Sequence, residues 1–436
     1  MRHIAIIADD LTGASDSGVQ FARKGLQTQV IFDVMQIANQ TQATEAVVVD
    51  TDSRSVATEI AYANVREAAQ QVKEAGFSFV YKKMDSTLRG NLGTEIDAVM
   101  DVIPFDFAVV APAFPKIGRT TAQGVHYLNG VPVSQTEIAN DPKCPVRQSD
   151  LVQLFAAQSK RRVGLISLAI LHAGKEQVLK SIQALLEAKN ELIVFDAETE
   201  EDLQQIVNWI SESDYQPLWA GSAGMADYLP EALALPVNTA DMIELPPVTK
   251  PVMLVAGSIS KVTRHQVATY NLDPTIVAIE MNTVVAIASE EGAQQEMERC
   301  KKELLTAIDA GHDVSLFASS SPEQVAKTKE AGAGRGLDGN GVSNQIANLL
   351  GEIASDLMQR TALQGVILTG GDTAKAVCRH LGVPSIQLVR ELEPGIPLGL
   401  MVKEVPVQVV TKAGAFGNEH SLSYAKKVLK GEQSNE

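Results

Sequence analysis

Ile4-Ala5-Ile6-Ile7-Ala8 runs into Asp9-Asp10-Leu11-Thr12-Gly13-Ala14-Ser15-Asp16, and the junction between the two stretches decides how the chain is read. Five consecutive apolar residues bounded by a polar, glycine-containing turn predict a buried strand. A helix-like stretch from Gly18 to Lys24 follows, so the segment reads as strand, turn and helix. Open α/β sheets bind ligands outside the carboxyl ends of their strands, and here that position carries two carboxylates. Asp10, Thr12 or Ser15 could instead serve only as the helix N-cap. Capping needs one carboxylate or hydroxyl, and this turn supplies several.

The same alternation continues outward. Apolar runs at 46–49, 78–81, 108–111, 163–166 and 192–195, then at 252–256, 314–318, 366–369 and 407–411, alternate with helical patterns. That rhythm predicts an α/β protein of two domains, each with a largely parallel sheet flanked by helices. Between Leu235 and Pro251 the rhythm breaks, with prolines at 236, 246, 247 and 251. Residues 236–250 are therefore expected to link a first domain over 1–235 to a second over 251–436. The Gly-rich stretch Gly332 to Gly341 contains a GxGxxG match from Gly334 to Gly339. It follows a helix-like segment instead of a strand, so a polar surface loop is expected there and not a dinucleotide site.

Composition excludes several classes of function. A length of 436 residues suggests two or three domains. With 37 basic against 53 acidic residues the net charge is −16, which repels nucleic acid and anionic membrane surfaces. An anionic ligand must then be held by a local basic cluster. No apolar stretch approaches the roughly 20 residues needed to span a bilayer, and no signal-type segment opens the chain, so a cytoplasmic location is expected. Cys144, Cys300 and Cys378 are odd in number and far apart, which suggests reduced thiols. The histidines show no HExxH arrangement and the cysteines no zinc-ligand spacing.

Three segments of the first half combine acids with bases at apparent strand ends: Asp9-Asp10, Asp50-Thr51-Asp52-Ser53-Arg54, and Lys82-Lys83-Met84-Asp85-Ser86-Thr87-Leu88-Arg89-Gly90-Asn91. All three could converge on one edge of a sheet. Alone, Lys82 and Lys83 would read as a solvated strand terminus, and Asp85 or Ser86 as the cap of a helix from about Asn91 to Met100. Arg89, a carboxylate and two hydroxyls so close by favour a site for a small polyhydroxy carboxylate. Arg offers a planar fork to a carboxylate, Asp accepts hydrogen bonds from sugar hydroxyls, and one Asp could take the proton of an attacking hydroxyl. The candidates for binding such an acid are Asp9, Asp10, Arg54, Lys82, Lys83, Met84, Asp85, Ser86 and Arg89. Among them Asp10, Asp85 and Arg89 are the candidates for catalysis. Lys116 and Arg119, in the Pro-stiffened loop from Ala111 to Thr121, either close over a ligand or belong to an ordinary connection.

The second half repeats strand, Gly-rich turn and helix three times. The turns are Gly257-Ser258-Ile259-Ser260, Thr369-Gly370-Gly371-Asp372-Thr373-Ala374 and Lys412-Ala413-Gly414-Ala415-Phe416-Gly417-Asn418. Glycines let the backbone approach an anion, and helix starts offer unpaired N–H groups, so together the turns predict a phosphate cradle. No Walker-type Gx4GK[ST] sequence occurs. Lys412 could neutralise phosphate charge, and Asp372 could hold Mg²⁺ or merely cap the helix from Ala374 to Leu381.

Taken together, the motifs resemble the four-carbon acid sugar kinase family. The match covers nearly the whole chain: ADDLTGA at 8–14, DSR at 52–54, KKMDSTLRGN at 82–91, then GSIS, TGGDTA and KAGAFG in the second half. The resemblance implies an amino-terminal acid-sugar domain, a carboxyl-terminal nucleotide domain, an active site in the interdomain cleft, and phosphorylation of the terminal hydroxyl of a tetronate by ATP with Mg²⁺. By motif it places Asp10, Arg54 and Lys83 to Ser86 on the sugar acid. It places Ser258, Gly371, Asp372, Thr373, Ala374, Gly414, Ala415, Phe416 and Gly417 on ATP, and the turns themselves add Gly370 and Lys412 as ATP-binding candidates. Ser15-Asp16-Ser17-Gly18-Val19-Gln20 is similar to the continuation in members acting on D-threonate, with D-erythronate and 3-oxotetronates as alternative substrates. The rival readings are a nicotinamide-dependent hydroxy-acid dehydrogenase, which lacks a well-placed GxGxxG, and a non-catalytic sugar-acid binding protein, for which a phosphate cradle is superfluous. A homodimer is a possible assembly.

Overall fold

The opening apolar run forms β1 (Ile4–Ala8), with every residue buried. The computed structural model describes residues 3–37, 44–141, 143–235 and 250–432. Two compact units divide the chain, Met1–Met242 and Ile243–Glu436. The expected linker over 236–250 lies outside the described residues except for Lys250.

In the first unit β1 is followed by β2 (Thr28–Ile31), β3 (Ala46–Asp50), β4 (Phe79–Lys83) and β5 (Ala108–Ala111). A small antiparallel sheet of β6 (Arg119–Ala122), β7 (Val125–Leu128) and β8 (Val131–Pro132) comes next, before β9 (Arg162–Ile166), β10 (Asn190–Phe195) and β11 (Leu218–Gly221). The main sheet runs in the order β2-β3-β1-β4-β11-β5-β10-β9, and its pairings are parallel. Strands buried on both faces are apolar at nearly every position, which is why they appear as near-continuous runs. Helix Thr58–Ala75 shows the complementary pattern. It buries Ala61, Val65, Ala68, Ala69 and Val72 on one face, joining Val47, Val49 and Val110 in the core. After β1 the chain lays β2 and β3 to one side, then returns across β1 to place β4 on the other. The topological switch point of this sheet is therefore at the carboxyl ends of β1 and β4.

The second unit contains β12 (Val252–Ala256), β13 (Ile276–Met281), β14 (Asp313–Ala318), β15 (Gly365–Thr369), β16 (Ser385–Glu393), β17 (Ile396–Met401) and β18 (Val407–Lys412). They are ordered β13-β14-β12-β15-β18-β17-β16, parallel as far as β18, with β17 antiparallel to both its neighbours. Here the switch point falls between β12 and β15. Register pairs Ala256 with Thr369 and Thr369 with Lys412, so three strand ends finish on one line. Among the described residues no helix is long and apolar enough to cross a membrane.

Several local expectations are corrected. The first helix runs over Leu11–Ala22 instead of beginning at Gly18, because Asp10 caps it by accepting from Gly13 N at 2.7 Å. Its residues from Leu11 to Phe21 are all buried, so no amphipathic stripe announces its start. Neither Asp85 nor Ser86 caps the helix Leu92–Met100; Asn91 stands at that cap and donates to Ser53 O and Val56 O. The helix expected at Ala374 begins at Gly371 with Gly370 as its cap, and Asp372 lies in its first turn. Two helices, Pro322–Ala333 and Gly339–Arg360, take up half of the expected loop at Gly332 to Gly341, leaving 334–338 as the connection. The hairpin of β16 and β17 and the sheet of β6, β7 and β8 were not anticipated.

Candidate active site

Arg54, from the loop after β3, reaches both carboxylates that follow β1. Its Nε and Nη2 donate to Asp9 Oδ2 and Oδ1 at 2.7 and 3.0 Å, and its Nη1 and Nη2 to Asp10 Oδ2 and Oδ1 at 2.5 and 2.8 Å. Asp10 thus caps a helix and belongs to the cluster at once. Burial pushes both carboxyls up. At Asp9 the guanidinium of Arg54, with Lys82 and Lys83, outweighs burial and holds the group below its ordinary value. Asp10 ends above its ordinary value, since burial and the charge of Asp9 outweigh Arg54. Two adjacent carboxyls whose environments push them apart can take different chemical roles.

The basic residues at the end of β4 are buried, and they do different things. Lys82 is 1% exposed; its Nζ meets Glu95 Oε2 at 2.8 Å and donates to Lys83 O and Ile7 O at 2.7 and 3.2 Å. Glu95 Oε1 accepts from Ser53 Oγ at 2.7 Å. An ammonium has three hydrogens, so Lys82 is committed beneath the cluster and is not the solvated strand end that its charge suggests. Lys83 donates only to Met84 O, at 2.8 Å, among the described residues. A Cβ built on Gly13 would lie 3.1 Å from Lys83 Nζ, 2.7 Å from Asp10 Oδ1 and 3.5 Å from Arg54 Nη2. The missing side chain of Gly13 leaves the first helix turn open to all three groups.

Asp85 accepts from Thr87 Oγ1 at 2.5 Å and from Arg89 Nε at 2.8 Å, with Arg54 Nη2 at 3.8 Å. Burial would raise its carboxyl, yet Arg89 and Arg54 hold it well below the ordinary value. Arg89 also donates to Asp141 Oδ2 at 3.3 Å. Leu88 adopts φ +66, a left-handed backbone that costs a non-glycine residue about 1–3 kcal/mol and that clusters at ligand sites. The side chain of Met84 is not brought to the cluster; it packs in the apolar core. Lys116 pairs with Asp227 at 2.8 Å and Glu200 at 3.7 Å, away from the three acid segments.

Glu95 was not among the site candidates, nor were His126 and Cys144, which lie beside the cluster. His126 on β7 is fully buried, with Nε2 2.9 Å from Ser86 O and Nδ1 2.9 Å from Thr121 Oγ1. A carbonyl only accepts, so Nε2 carries the proton and donates, and Nδ1 accepts from the hydroxyl. Burial pushes the imidazole down to about 4 and keeps it neutral. Cys144 donates from Sγ to Arg54 O at 3.3 Å, and burial with Asp141 pushes its thiol up to about 11. Neither residue sits in a local pattern that periodicity could expose.

In the second unit the three Gly-rich turns lie side by side at the ends of β12, β15 and β18. Ser260 Oγ and Thr263 Oγ1 both donate to Gly414 O, at 2.8 and 2.9 Å. A Cβ on Gly414 would stand 2.6 Å from Ser258 Oγ, so only glycine lets the first and third turns approach this closely. Helix Gly371–Leu381 has no side-chain cap at Gly370, and Thr373 and Ala374 are buried behind its first turn. Asp372, Ala415 and Gly417 are exposed, whereas Lys412 is buried. Beside Ser258 lies a cavity of about 240 Å³ whose lining includes Ala256, Val267, Phe317, Ala318 and Asn271. Among the described residues no group of three or more His, Cys, Asp or Glu side chains is placed to hold a metal ion.

Residues 4–229 match a family model described as a sugar-binding N-terminal domain, and residues 253–422 one described as a nucleotide-binding C-terminal domain. The chain is similar to D-threonate kinase from Salmonella typhimurium, 32% identical over 421 residues that span 96% of each chain. D-erythronate kinase from Heliobacterium modesticaldum is 33% identical over 426 residues, 96% of this chain and 95% of the relative. The crystal structure of a Salmonella typhimurium LT2 protein matches with a TM-score of 0.80 at 25% identity, covering 98% of this chain and 100% of that one.

Proposed function

The chain belongs to the four-carbon acid sugar kinase family, and we propose that it transfers the γ-phosphoryl group of ATP to the terminal 4-hydroxyl of D-threonate. The observation that carries this reading is the coexistence, in one chain, of a buried acid-base cluster at one switch point and three converging glycine turns at another. Each holds one half of a phosphoryl transfer.

In this reading Arg54 and Lys83 receive the substrate carboxylate, while Asp85 and Arg89 hold hydroxyls. Lys82 supports them from below through Glu95, and Met84 contributes its backbone. Asp10 accepts the proton of the attacking hydroxyl, because its carboxyl lies above the ordinary value whereas Asp9 and Asp85 lie below theirs. Asp9 keeps Arg54 oriented. The phosphates rest on the backbone N–H groups at the start of helix Gly371–Leu381, where the helix dipole favours negative charge, and on the turn at Gly414 to Gly417. The base lies in the cavity beside Ser258. A cradle with few carboxylates fits Mg²⁺ that arrives on the phosphates and keeps most of its waters; Asp372 is the residue that would hold it, and the ion would neutralise charge developing on the phosphoryl oxygens.

D-Erythronate is the second reading, favoured by the similarity to D-erythronate kinase. The two acids differ at one stereocentre, and a hydroxyl left without its partner costs about 1–3 kcal/mol, roughly tenfold or more in selectivity. The test is ATP-dependent ADP release by the purified protein with Mg²⁺ across D- and L-threonate, D- and L-erythronate and 3-oxotetronates. The highest kcat/KM on D-threonate is expected. A higher value on another acid moves the assignment to it, and no turnover on any discards the tetronate assignment.

A further inference from the structure

Lys412 ends β18 among the three turns, yet it is 1% exposed. Three acceptors surround its three ammonium hydrogens: Ala413 O at 2.7 Å, Phe416 O at 3.2 Å and Thr263 Oγ1 at 3.3 Å. Two of these belong to the turn that directly follows Lys412, so the side chain folds forward and grips that turn at both ends. The third, Thr263 Oγ1, itself donates to Gly414 O in the middle of the same turn. No carboxylate forms an ion pair with Lys412 among the described residues. Glu393 is the charge whose field reaches it, and that carboxylate accepts from Ser421 Oγ at 2.5 Å.

We propose that Lys412 is a positioning residue for the nucleotide: its ammonium holds Ala413 to Gly417 in the shape that receives phosphate and makes no phosphate contact of its own. The inference rests on the second unit being the ATP site. A cation without a counter-charge is costly to bury, and a purely structural clamp at this place would be better served by a neutral donor. Burial pushes the ammonium down to about 7. A polyphosphate bound to the turn supplies the missing negative field from outside the hydrogen-bond shell and favours the charged clamp. The groups that face Lys412 are the Thr263 hydroxyl from helix Lys261–Tyr270, the turn carbonyls and, through its field, Glu393. Thr369 on β15 lies behind, 3.4 Å from Thr263 Oγ1.

Lys412→Met keeps the length of the side chain and removes its donors. Three readouts decide the matter: Mg·ADP affinity by calorimetry, amide exchange of residues 413–417 without ligand, and KM for the sugar acid at saturating ATP. The expected result is an ADP Kd raised about tenfold or more, faster exchange across 413–417 in the ligand-free protein, and an unchanged sugar-acid KM. Thr263→Val, which removes one acceptor of Lys412 and one donor to Gly414, should give the same pattern more weakly and serves if the first variant does not fold. Weakened ADP binding with unchanged ligand-free exchange would make Lys412 a direct phosphate ligand and overturn the proposal, as would unchanged ADP binding. Failure of the unmutated protein to bind Mg·ADP would instead overturn the ATP reading beneath it.

Discussion

Arg54→Met removes the guanidinium that four hydrogen bonds tie to Asp9 and Asp10. The Arg54 side chain is 15% exposed, that of Asp9 0% and that of Asp10 24%. Methionine occupies much of the same path, so two adjacent carboxyls remain without their cation. Breaking a buried pair by removing one partner costs about 3–5 kcal/mol, and the partial exposure of Asp10 moves the expectation to about 3 kcal/mol. The sign of the pH dependence follows from the carboxyls. In the unmutated protein Asp9 lies below its ordinary value of 3.8, so its contribution is present above that value and lost as pH falls through the folded one. Without Arg54, burial and mutual repulsion raise both carboxyls. Their penalty is then full at high pH and fades as pH falls through the raised values. Both tryptophans, Trp209 and Trp219, lie in the first unit, so urea unfolding followed by their fluorescence reports on that unit. The deficit should be about 3 kcal/mol at pH 8 and less than half of that at pH 5. Equal deficits at the two pH values would refute the electrostatic reasoning.

Four further outcomes are expected. Asp10→Asn keeps an oxygen that accepts from Gly13 N, so stability should change by about 1 kcal/mol, while kcat falls about 100-fold to 10,000-fold; a kcat within threefold of the unmutated enzyme would exclude Asp10 as the base. Gly13→Ala should raise KM for the sugar acid and bring none of the roughly 1 kcal/mol that alanine contributes in a helix, because the new Cβ falls 2.7 Å from Asp10 Oδ1; a higher urea midpoint with unchanged KM would contradict this. His126, held at about 4 in the fold against an ordinary 6.5, binds its proton more readily when unfolded. Stability should therefore drop on acidification from pH 6.5 to 4, by up to about 3 kcal/mol, and His126→Gln should flatten that limb; parallel limbs for the two proteins would count against it. Finally, ADP affinity should fall as pH rises from 7 to 8.5 with protons taken up on binding, and Lys412→Met should abolish the uptake in calorimetry run in buffers of different ionisation enthalpy.

The α/β alternation was legible because strands covered on both faces are largely apolar, as β1 is throughout and β3 is up to its final Asp50. The hairpin of β16 and β17 was less so: Pro397 stands inside β17, and proline argues against a strand unless its pairing partners are known. The first helix hid its beginning for a different reason, since a helix buried all round has no polar face. At the site, the residues were legible and their division of labour was not. Lys82, Lys83 and Lys412 are equally basic as letters. What separates them is the acceptors that the described residues bring to each ammonium: Glu95 and Ile7 from distant segments for Lys82, Thr263 for Lys412, and among the described residues only the neighbouring Met84 carbonyl for Lys83. His126 was invisible because Thr121 becomes its partner only when β7 pairs with β6, and Ser86 only when the loop after β4 packs against that small sheet.

The most direct test of the central claim is phosphorus NMR of the product formed from ATP, Mg²⁺ and D-threonate. A new phosphomonoester resonance coupled to the two protons on C4, appearing in step with ADP, is the predicted result. ADP accompanied only by inorganic phosphate, or a phosphoryl group coupled to another carbon's proton, would contradict it.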